Sequence, residues 1–236
     1  MIKKILSIML IIFTINMLSY GAAKKEIRKS IFKAAMTTNP LSIDEGYSST
    51  TATRQVSSYI FETLFTFGDA YEIIPQLVDT YTVSPDRLIY EMKLRENIKF
   101  HNGKIMTAED VKASFERFVK GTHLAGATFK EVKSLEILGP YRIRFTLSSP
   151  ITLLESLALP PRMIIIPKEI AEKNMNSEIK GKDLIGTGPY KLVEWLPDVH
   201  VKLEKFSDYV PDNRYQEAKG LGGKKTAYFD EIYLLP

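Results

Sequence analysis

Alternating apolar and polar positions predict half-buried strands at residues 87–95 and 141–147. Successive side chains of a strand point to opposite faces, so an alternating segment buries one face and exposes the other. The charged residues between the apolar positions would face water, which favours antiparallel pairing. The inward positions of the two strands are Leu88, Tyr90, Met92, Leu94, Ile143, Phe145 and Leu147.

Other segments complete the predicted set of elements. Residues 31–36, 190–195, 199–204 and 228–236 are predicted to be strands, and the second and third form a hairpin around Asp198. Helical spacing of apolar residues predicts three helices, at residues 51–64 with a stop at Gly68, at 107–121, and at 167–173. Strands dominate with a few helices between them, so the predicted fold class is α/β in the broad sense, mixed α+β.

The amino-terminal residues 1–22 have the three-part pattern of a cleavable signal peptide. Two lysines precede a mostly apolar run at residues 5–18 and a cluster of small residues at 19–23. That run is shorter than the roughly 20 residues that span a bilayer, which argues against a retained membrane anchor. We predict cleavage after Gly21 or Ala23 and export to the periplasm.

The amino-acid composition indicates a globular protein and argues against several classes of function. The chain of 236 residues is 44% hydrophobic and 25% charged, which is typical of a globular protein. Loss of the signal lysines lowers the net charge from +4 to +2, so an electrostatic grip on nucleic acid has little support. The sequence contains no cysteine, which excludes thiolate metal sites and attachment through a lipidated cysteine.

The stretch LIGTGPYKLVEW, residues 184–195, contains two glycines and the only tryptophan of the chain. Its Gly186-Thr-Gly188 runs directly into a proline and a strand, unlike a dinucleotide-binding loop, which opens a helix. Residues 220–226 fail as a phosphate loop because Lys225 stands where serine or threonine is required. We interpret residues 184–195 as a tight turn that shapes the backbone.

No catalytic set is recognisable in the sequence. There is no Gly-x-Ser-x-Gly turn, and the histidines His101, His123 and His200 lack metal-ligand spacing. Glu109 and Asp110 are adjacent positions at a predicted helix start, where the helix dipole favours acidic residues. We therefore predict that the protein is not an enzyme and uses no cofactor or metal.

Several motifs follow one another in a fixed order: YEIIPQLVDTY at 71–81, LIYEMKLR at 88–95, IKFHNG at 98–103 and TAEDVKASFER at 107–117. Together with GTGPY at 186–190, they resemble the extracellular solute-binding proteins of family 5, the peptide- and nickel-type receptors of ABC importers. The resemblance implies one lobe of a fold similar to type II periplasmic binding proteins. Residues 23–45 and 160–236 would form the main part of this lobe and 46–159 its smaller subdomain, with the second lobe missing.

The resemblance also implies a function, binding of di- or oligopeptides in the periplasm by a monomer that serves ABC permease subunits. The expected cleft-wall residues are Thr38, Asn39, Tyr47, Arg162 and Thr187. Each also has a purely structural interpretation, as a turn residue, a packing side chain or a surface charge. The alternatives are a nickel-chelate or other small-solute receptor of the same family, and a truncated fragment that binds nothing.

Overall fold

The computed structural model describes residues 29–121, 123–160 and 162–236. The predicted signal peptide, residues 1–22, lies outside the described residues. None of the described helices has the length and apolar character that crossing a bilayer requires.

The described secondary structure contains both strands and helices, which confirms the predicted mixed α/β class. The strands are β1 (Ile31–Ala35), β2 (Phe65–Phe67), β3 (Ile73–Pro75), β4 (Val78–Val83), β5 (Ile89–Leu94), β6 (Val132–Gly139), β7 (Arg142–Leu147), β8 (Tyr190–Leu196), β9 (His200–Lys205), β10 (Ala218–Lys219), β11 (Gly222–Gly223) and β12 (Glu231–Leu235). The helices are α1 (Thr51–Ile60), α2 (Ala108–Gly121), α3 (His123–Thr128), α4 (Leu153–Ala158) and α5 (Lys168–Lys173), with a 3-10 turn at Gly181–Asp183.

The main sheet has the strand order β1-β12-β9-β8. β1 and β12 are parallel, whereas β12 with β9 and β9 with β8 are antiparallel. The predicted hairpin is the β8–β9 pair, and Asp198 adopts a left-handed φ of 62° in its turn. The main sheet therefore joins the first described strand to the last one.

A second sheet, with the order β4-β5-β7-β6, is antiparallel throughout. The predicted alternation is confirmed, because Tyr90, Met92 and Leu94 of β5 are at most 2% exposed. On the neighbouring β7, Ile143 and Phe145 are fully buried. Two short strand pairs, β2–β3 and β10–β11, lie outside both large sheets.

Two hydrophobic clusters stabilise these sheets. One joins the second sheet to α2 and includes Phe65 and Phe145, and the other packs on the main sheet and includes Leu203 and Leu234. α1 lies within residues 46–159 but contributes Ile60 to the main-sheet cluster. The division of the chain into a main part and a smaller subdomain stays a prediction.

The end of α1 differs from the sequence-based expectation. The helix stops at Ile60, so the predicted extension to residue 64 was wrong. Phe61 is extended, and its backbone N–H closes the helix by donating to the carbonyl of Ser57 at 2.8 Å. Gly68 lies further along, in a loop where its N–H donates to the carbonyl of Glu72. The extended backbone after Ile60 carries Glu62 into the protein interior, where it is 2% exposed.

Candidate ligand-binding surface

The glycine turn at residues 186–190 packs directly against the carboxyl end of α1. A Cβ atom added to Gly186 would lie 2.1 Å from the carbonyl oxygen of Ile60, and one on Gly188 would lie 2.5 Å from that of Tyr59. The backbone N–H of Gly188 donates to the Ile60 carbonyl at 2.9 Å. Both glycines are required because backbone approaches this closely leave no room for a side chain.

His101 holds this turn from the other side. Its Nδ1 accepts from the backbone N–H of Gly186 at 3.3 Å, and its Nε2 lies 2.9 Å from the carbonyl oxygen of Gly188. This pattern requires the neutral ring with the proton on Nε2. Burial lowers the pKa of His101 to about 4, so the ring is uncharged at neutral pH. His101 therefore positions the turn rather than exchanging protons.

Thr187, between the two glycines, donates through Oγ1 to the Glu62 carboxylate at 3.0 Å and is fully buried. The hydroxyl of Tyr209 donates to the other Glu62 oxygen, also at 3.0 Å. Burial and the neighbouring carboxylate raise the pKa of Tyr209, so its phenol remains a donor. Lys225 completes the group with its Nζ 3.6 Å from Glu62 Oε1. These four residues are the Glu62 cluster.

The connecting segment, residues 206–230 between β9 and β12, brings Tyr209 and Lys225 to Glu62. It runs over the second sheet and the β2–β3 pair, to which side chains fasten it. The fastenings are Arg95 Nη2 to Val210 O at 2.8 Å, Arg214 Nη2 to Val78 O at 2.9 Å, Gln76 Nε2 to Leu221 O at 3.3 Å, and Lys219 Nζ to Glu72 Oε1 at 2.7 Å. The connecting segment starts and ends in the main sheet and is held by side chains next to the second sheet and the β2–β3 pair. It therefore forms a fixed wall of the site.

A groove of about 340 Å³ opens beside the Glu62 cluster. Lys225 is only 16% exposed and reaches both the cluster and this groove. Tyr228 stands at the groove with 79% of its surface exposed. We call this feature the tyrosine–lysine groove; its lining residues are Ser58, Tyr59, Pro189, Tyr190, Ala218, Gly220, Leu221, Lys224, Lys225, Thr226 and Tyr228.

Arg162 forms a buried ion pair that the sequence did not reveal. Its Nε and Nη2 donate to the two carboxylate oxygens of Glu45 at 2.7 and 2.5 Å. The side chains are 8% and 0% exposed, so Arg162 is not a surface charge. Asp44, next to Glu45, is paired in the same way with Arg117, whose Nη2 lies 2.5 Å from Asp44 Oδ2. Tyr47 lies in the same turn with 60% of its surface exposed.

Thr38 and Asn39 lie at the opposite end of the main sheet from Thr187. Asn39 bonds to the side chain and backbone of Asp198 in the β8–β9 turn, whereas Thr187 precedes the first residue of β8. Strand β8 separates the two places by roughly 20 Å, at about 3.3 Å per residue. A second groove, of about 630 Å³, lies along β8 and is lined by Leu41 and Trp195 among others.

The predicted cleft-wall residues thus fall into three places rather than one. Arg162 is bound to Glu45 in the turn that also contains Tyr47, Thr187 belongs to the Glu62 cluster, and Thr38 and Asn39 lie at the far sheet end. Their roles in ligand binding stay predictions. Sequence reasoning missed Tyr209 and Lys225, because both lie in a segment without periodic patterning. Likewise, nothing in the sequence indicated that Glu62 would lie at the centre of a buried cluster.

Within the described ranges, no group of three or more histidine, aspartate and glutamate side chains is arranged to hold a metal ion. The buried Glu62 carboxylate is instead engaged by Thr187, Tyr209 and Lys225. The tyrosine–lysine groove presents the ammonium groups of Lys224 and Lys225 and the exposed ring of Tyr228, which is suited to holding a solute by charge and by packing.

Comparison with known proteins gives a consistent set of matches. A sequence profile described as bacterial extracellular solute-binding proteins, family 5 Middle, matches residues 72–236. The glutathione-binding protein GsiB of Escherichia coli O1:K1 is 31% identical over 200 residues, which cover 84% of this chain and 38% of that protein.

Solved structures give the same picture. The Helicobacter pylori periplasmic binding protein DppA in complex with the peptide STSA is 27% identical with a TM-score of 0.70, over 89% of this chain and 44% of that one. NikZ from Campylobacter jejuni in complex with Ni(L-His) is 25% identical with a TM-score of 0.71, over 89% of this chain and 39% of that one. The chain spans about two fifths of the length of these relatives.

Proposed function

The chain belongs to the bacterial extracellular solute-binding proteins of family 5, and from this membership we propose that it is the substrate-binding component of an ABC importer for di- and oligopeptides. The observation that carries the proposal is the open tyrosine–lysine groove beside the Glu62 cluster. An aromatic wall and ammonium donors suit the apolar side chains and the charged end of a short peptide.

Two relatives support a peptide as the ligand of this chain. The Helicobacter pylori DppA structure contains the peptide STSA, and the Escherichia coli relative is named for glutathione binding. A short peptide also matches the dimensions of the groove, since about 340 Å³ is at the small end of the range for ligand pockets.

The proposed mode of binding is enclosure between two lobes. Receptors of this kind close around a ligand by a hinge movement, so each lobe supplies one wall. The described residues would supply one wall, on which Tyr47 with Arg162, Thr187, and Thr38 with Asn39 would lie at three separate places. One wall leaves much of a ligand in water, so this chain by itself is expected to bind peptide weakly.

The proposal also covers location and partners. Residues 1–22 would direct export to the periplasm as a cleaved signal, and the absence of cysteine leaves no site for lipid attachment. The protein would act there as a monomer and deliver solute to membrane permease subunits. Western blotting of periplasmic and membrane fractions, with sequencing of the mature amino terminus, tests the location.

A small-solute receptor is the second candidate within the family. It is favoured by the Campylobacter jejuni NikZ match with Ni(L-His), and by an Agrobacterium tumefaciens structure, AgaA, in complex with agropinic acid, which is 27% identical with a TM-score of 0.71 over 86% of this chain. A chain of this length without a binding role is the third candidate.

Ligand-observed NMR on the 236-residue chain separates the candidates, because it detects millimolar affinities. Dipeptides and tripeptides, Ni(L-His) and agropinic acid would be presented at equal concentration. We expect saturation transfer to the peptides alone, with dissociation constants above the micromolar range. Transfer only to the nickel chelate or to agropinic acid would replace the peptide proposal, and no transfer to any probe would favour the non-binding fragment.

A further inference from the structure

The ammonium group of Lys225 has fewer acceptors than it has donors. Its nearest carboxylate oxygen, Glu62 Oε1, is 3.6 Å away, which is longer than a hydrogen bond. That oxygen already accepts from Tyr209, and the other Glu62 oxygen accepts from Thr187. No other described residue accepts from Lys225. The Nζ atom is not fully enclosed by protein, so water or an acceptor on a ligand can reach its remaining donors from the groove.

The charged residues that line the groove at Lys225 are all positive. Its lining contains Lys224 and Lys225 but no aspartate or glutamate. Burial is the main cause that lowers the pKa of the Lys225 ammonium; the neighbouring Glu62 carboxylate raises this pKa, and the positive charge of Arg162 lowers it further. The Glu62 carboxylate, 3.6 Å from Lys225 Nζ, offsets one of the two lysine charges, so Lys224 and Lys225 together still leave one net positive charge facing the groove. The solvent side of Lys225 is therefore a place where an anion is stabilised.

The remaining walls favour an organic anion over a free inorganic one. Tyr59 and Tyr190 form an edge-to-face pair with ring centroids 5.9 Å apart, and Tyr228 projects into solvent beside them. The Tyr190 hydroxyl is occupied by the backbone of Phe229, so this ring presents its apolar body to the groove. Aromatic walls of this kind bind most favourably to a ligand that carries apolar groups next to its charge.

We propose that the tyrosine–lysine groove is a carboxylate subsite, in which Lys225 binds a carboxylate of the imported solute while the tyrosines contact the groups next to it. This inference rests on the proposed function and deepens it, since it names the chemical group that this wall recognises. The subsite would operate with the residues of this chain alone. It would therefore give the chain a residual preference for acids over their amides.

The test compares a peptide acid with its amide on the 236-residue chain. The peptides Ala-Phe and Ala-Phe-amide differ only in the terminal group, a charged carboxylate in the first and a neutral carboxamide in the second. NMR of the lysine side chains follows binding at millimolar concentration. We expect Ala-Phe to bind about tenfold more tightly, as a charge-assisted hydrogen bond allows, and to raise the pKa of Lys225. Lys225→Met should abolish the preference, and Lys225→Arg should retain most of it.

Lys191→Met is the matched control. It removes the same charge next to Tyr190 but on the opposite face of β8, where Lys191 is paired with Glu204 at 2.8 Å. The acid–amide preference should survive in this variant, and its loss would overturn the subsite in favour of diffuse positive charge. Equal binding of acid and amide by the unmodified chain would overturn the subsite and leave the peptide proposal intact. Binding of neither peptide would overturn both.

Discussion

Arg162 and Glu45, 117 residues apart in the chain, are joined by a buried two-point ion pair with N–O distances of 2.7 and 2.5 Å. Glu45 lies before the part of the chain that forms the second sheet, and Arg162 lies after it. The ion pair therefore joins the two segments on either side of that part of the chain. Arg162 also reaches the carbonyl oxygen of Arg54 at 3.5 Å, so its guanidinium is committed within the protein. This position makes Arg162 a stabilising residue whatever its role toward a ligand.

Arg162→Met is expected to lower the free energy of unfolding by about 3–5 kcal/mol, because Glu45 would keep an unpaired charge in the interior. Urea titration followed by Trp195 fluorescence measures the loss. The double variant Arg162→Met/Glu45→Gln is the control and should be more stable than Arg162→Met alone. If Arg162→Met keeps its stability while peptide binding falls, Arg162 acts on the ligand and not on the fold.

Gly186→Ala is expected to lower the free energy of unfolding by more than a glycine-to-alanine substitution at an unstrained position. Its Cβ would lie 2.1 Å from the Ile60 carbonyl oxygen, so the turn must move away from α1. A loss of about 2 kcal/mol or more in thermal or urea unfolding would fit this strain. Gly121→Ala is the comparison, since its Cβ meets only Met175 O at 3.6 Å, and it should leave stability nearly unchanged.

The neutral His101 makes stability depend on pH in a defined window. Its pKa is about 4 in the folded protein and 6.5 when unperturbed, so between these values the unfolded chain binds the extra proton. Stability should be fully present above pH 6.5 and should fall as the pH drops toward 4, by up to about 3 kcal/mol. Urea unfolding at half-unit pH steps measures it.

His101→Gln provides the reference for this pH dependence. Glutamine can retain one bond to the glycine turn but does not titrate. We expect the variant to be less stable at pH 7 and to show a much flatter profile between pH 6.5 and 4. Identical profiles for the two proteins would assign the slope to carboxylates and would contradict the lowered pKa of His101.

Thr187→Val tests whether the hydroxyl supports Glu62. Valine keeps the shape of threonine but leaves one buried carboxylate oxygen without a donor. We expect a loss of about 1–3 kcal/mol in unfolding free energy, and Thr187→Ser, which retains the hydroxyl, should lose less. Wild-type stability in Thr187→Val would show that the bond from Thr187 to Glu62 contributes little to the fold.

The sequence by itself determined the local structure wherever neighbouring residues carry the signal. Alternation predicted β5 and β7 with their buried faces, and the pattern around Asp198 predicted the β8–β9 hairpin. The motifs from residue 71 onward also carried the family resemblance. These features follow from side-chain periodicity and turn chemistry, which act over a few residues and can be read along the chain.

Only the tertiary structure decided where helix α1 ends and which charged side chains pair with each other. α1 stops at Ile60 because the glycine turn packs on its last carbonyl, although the apolar spacing continues to Leu64. Arg162 is buried against Glu45, and Lys225 lies behind a groove near Glu62, although nothing in their own segments indicates burial. Such pairs join residues more than a hundred positions apart, and their energy depends on exclusion of water, which exists only once both sheets and the connecting segment have packed.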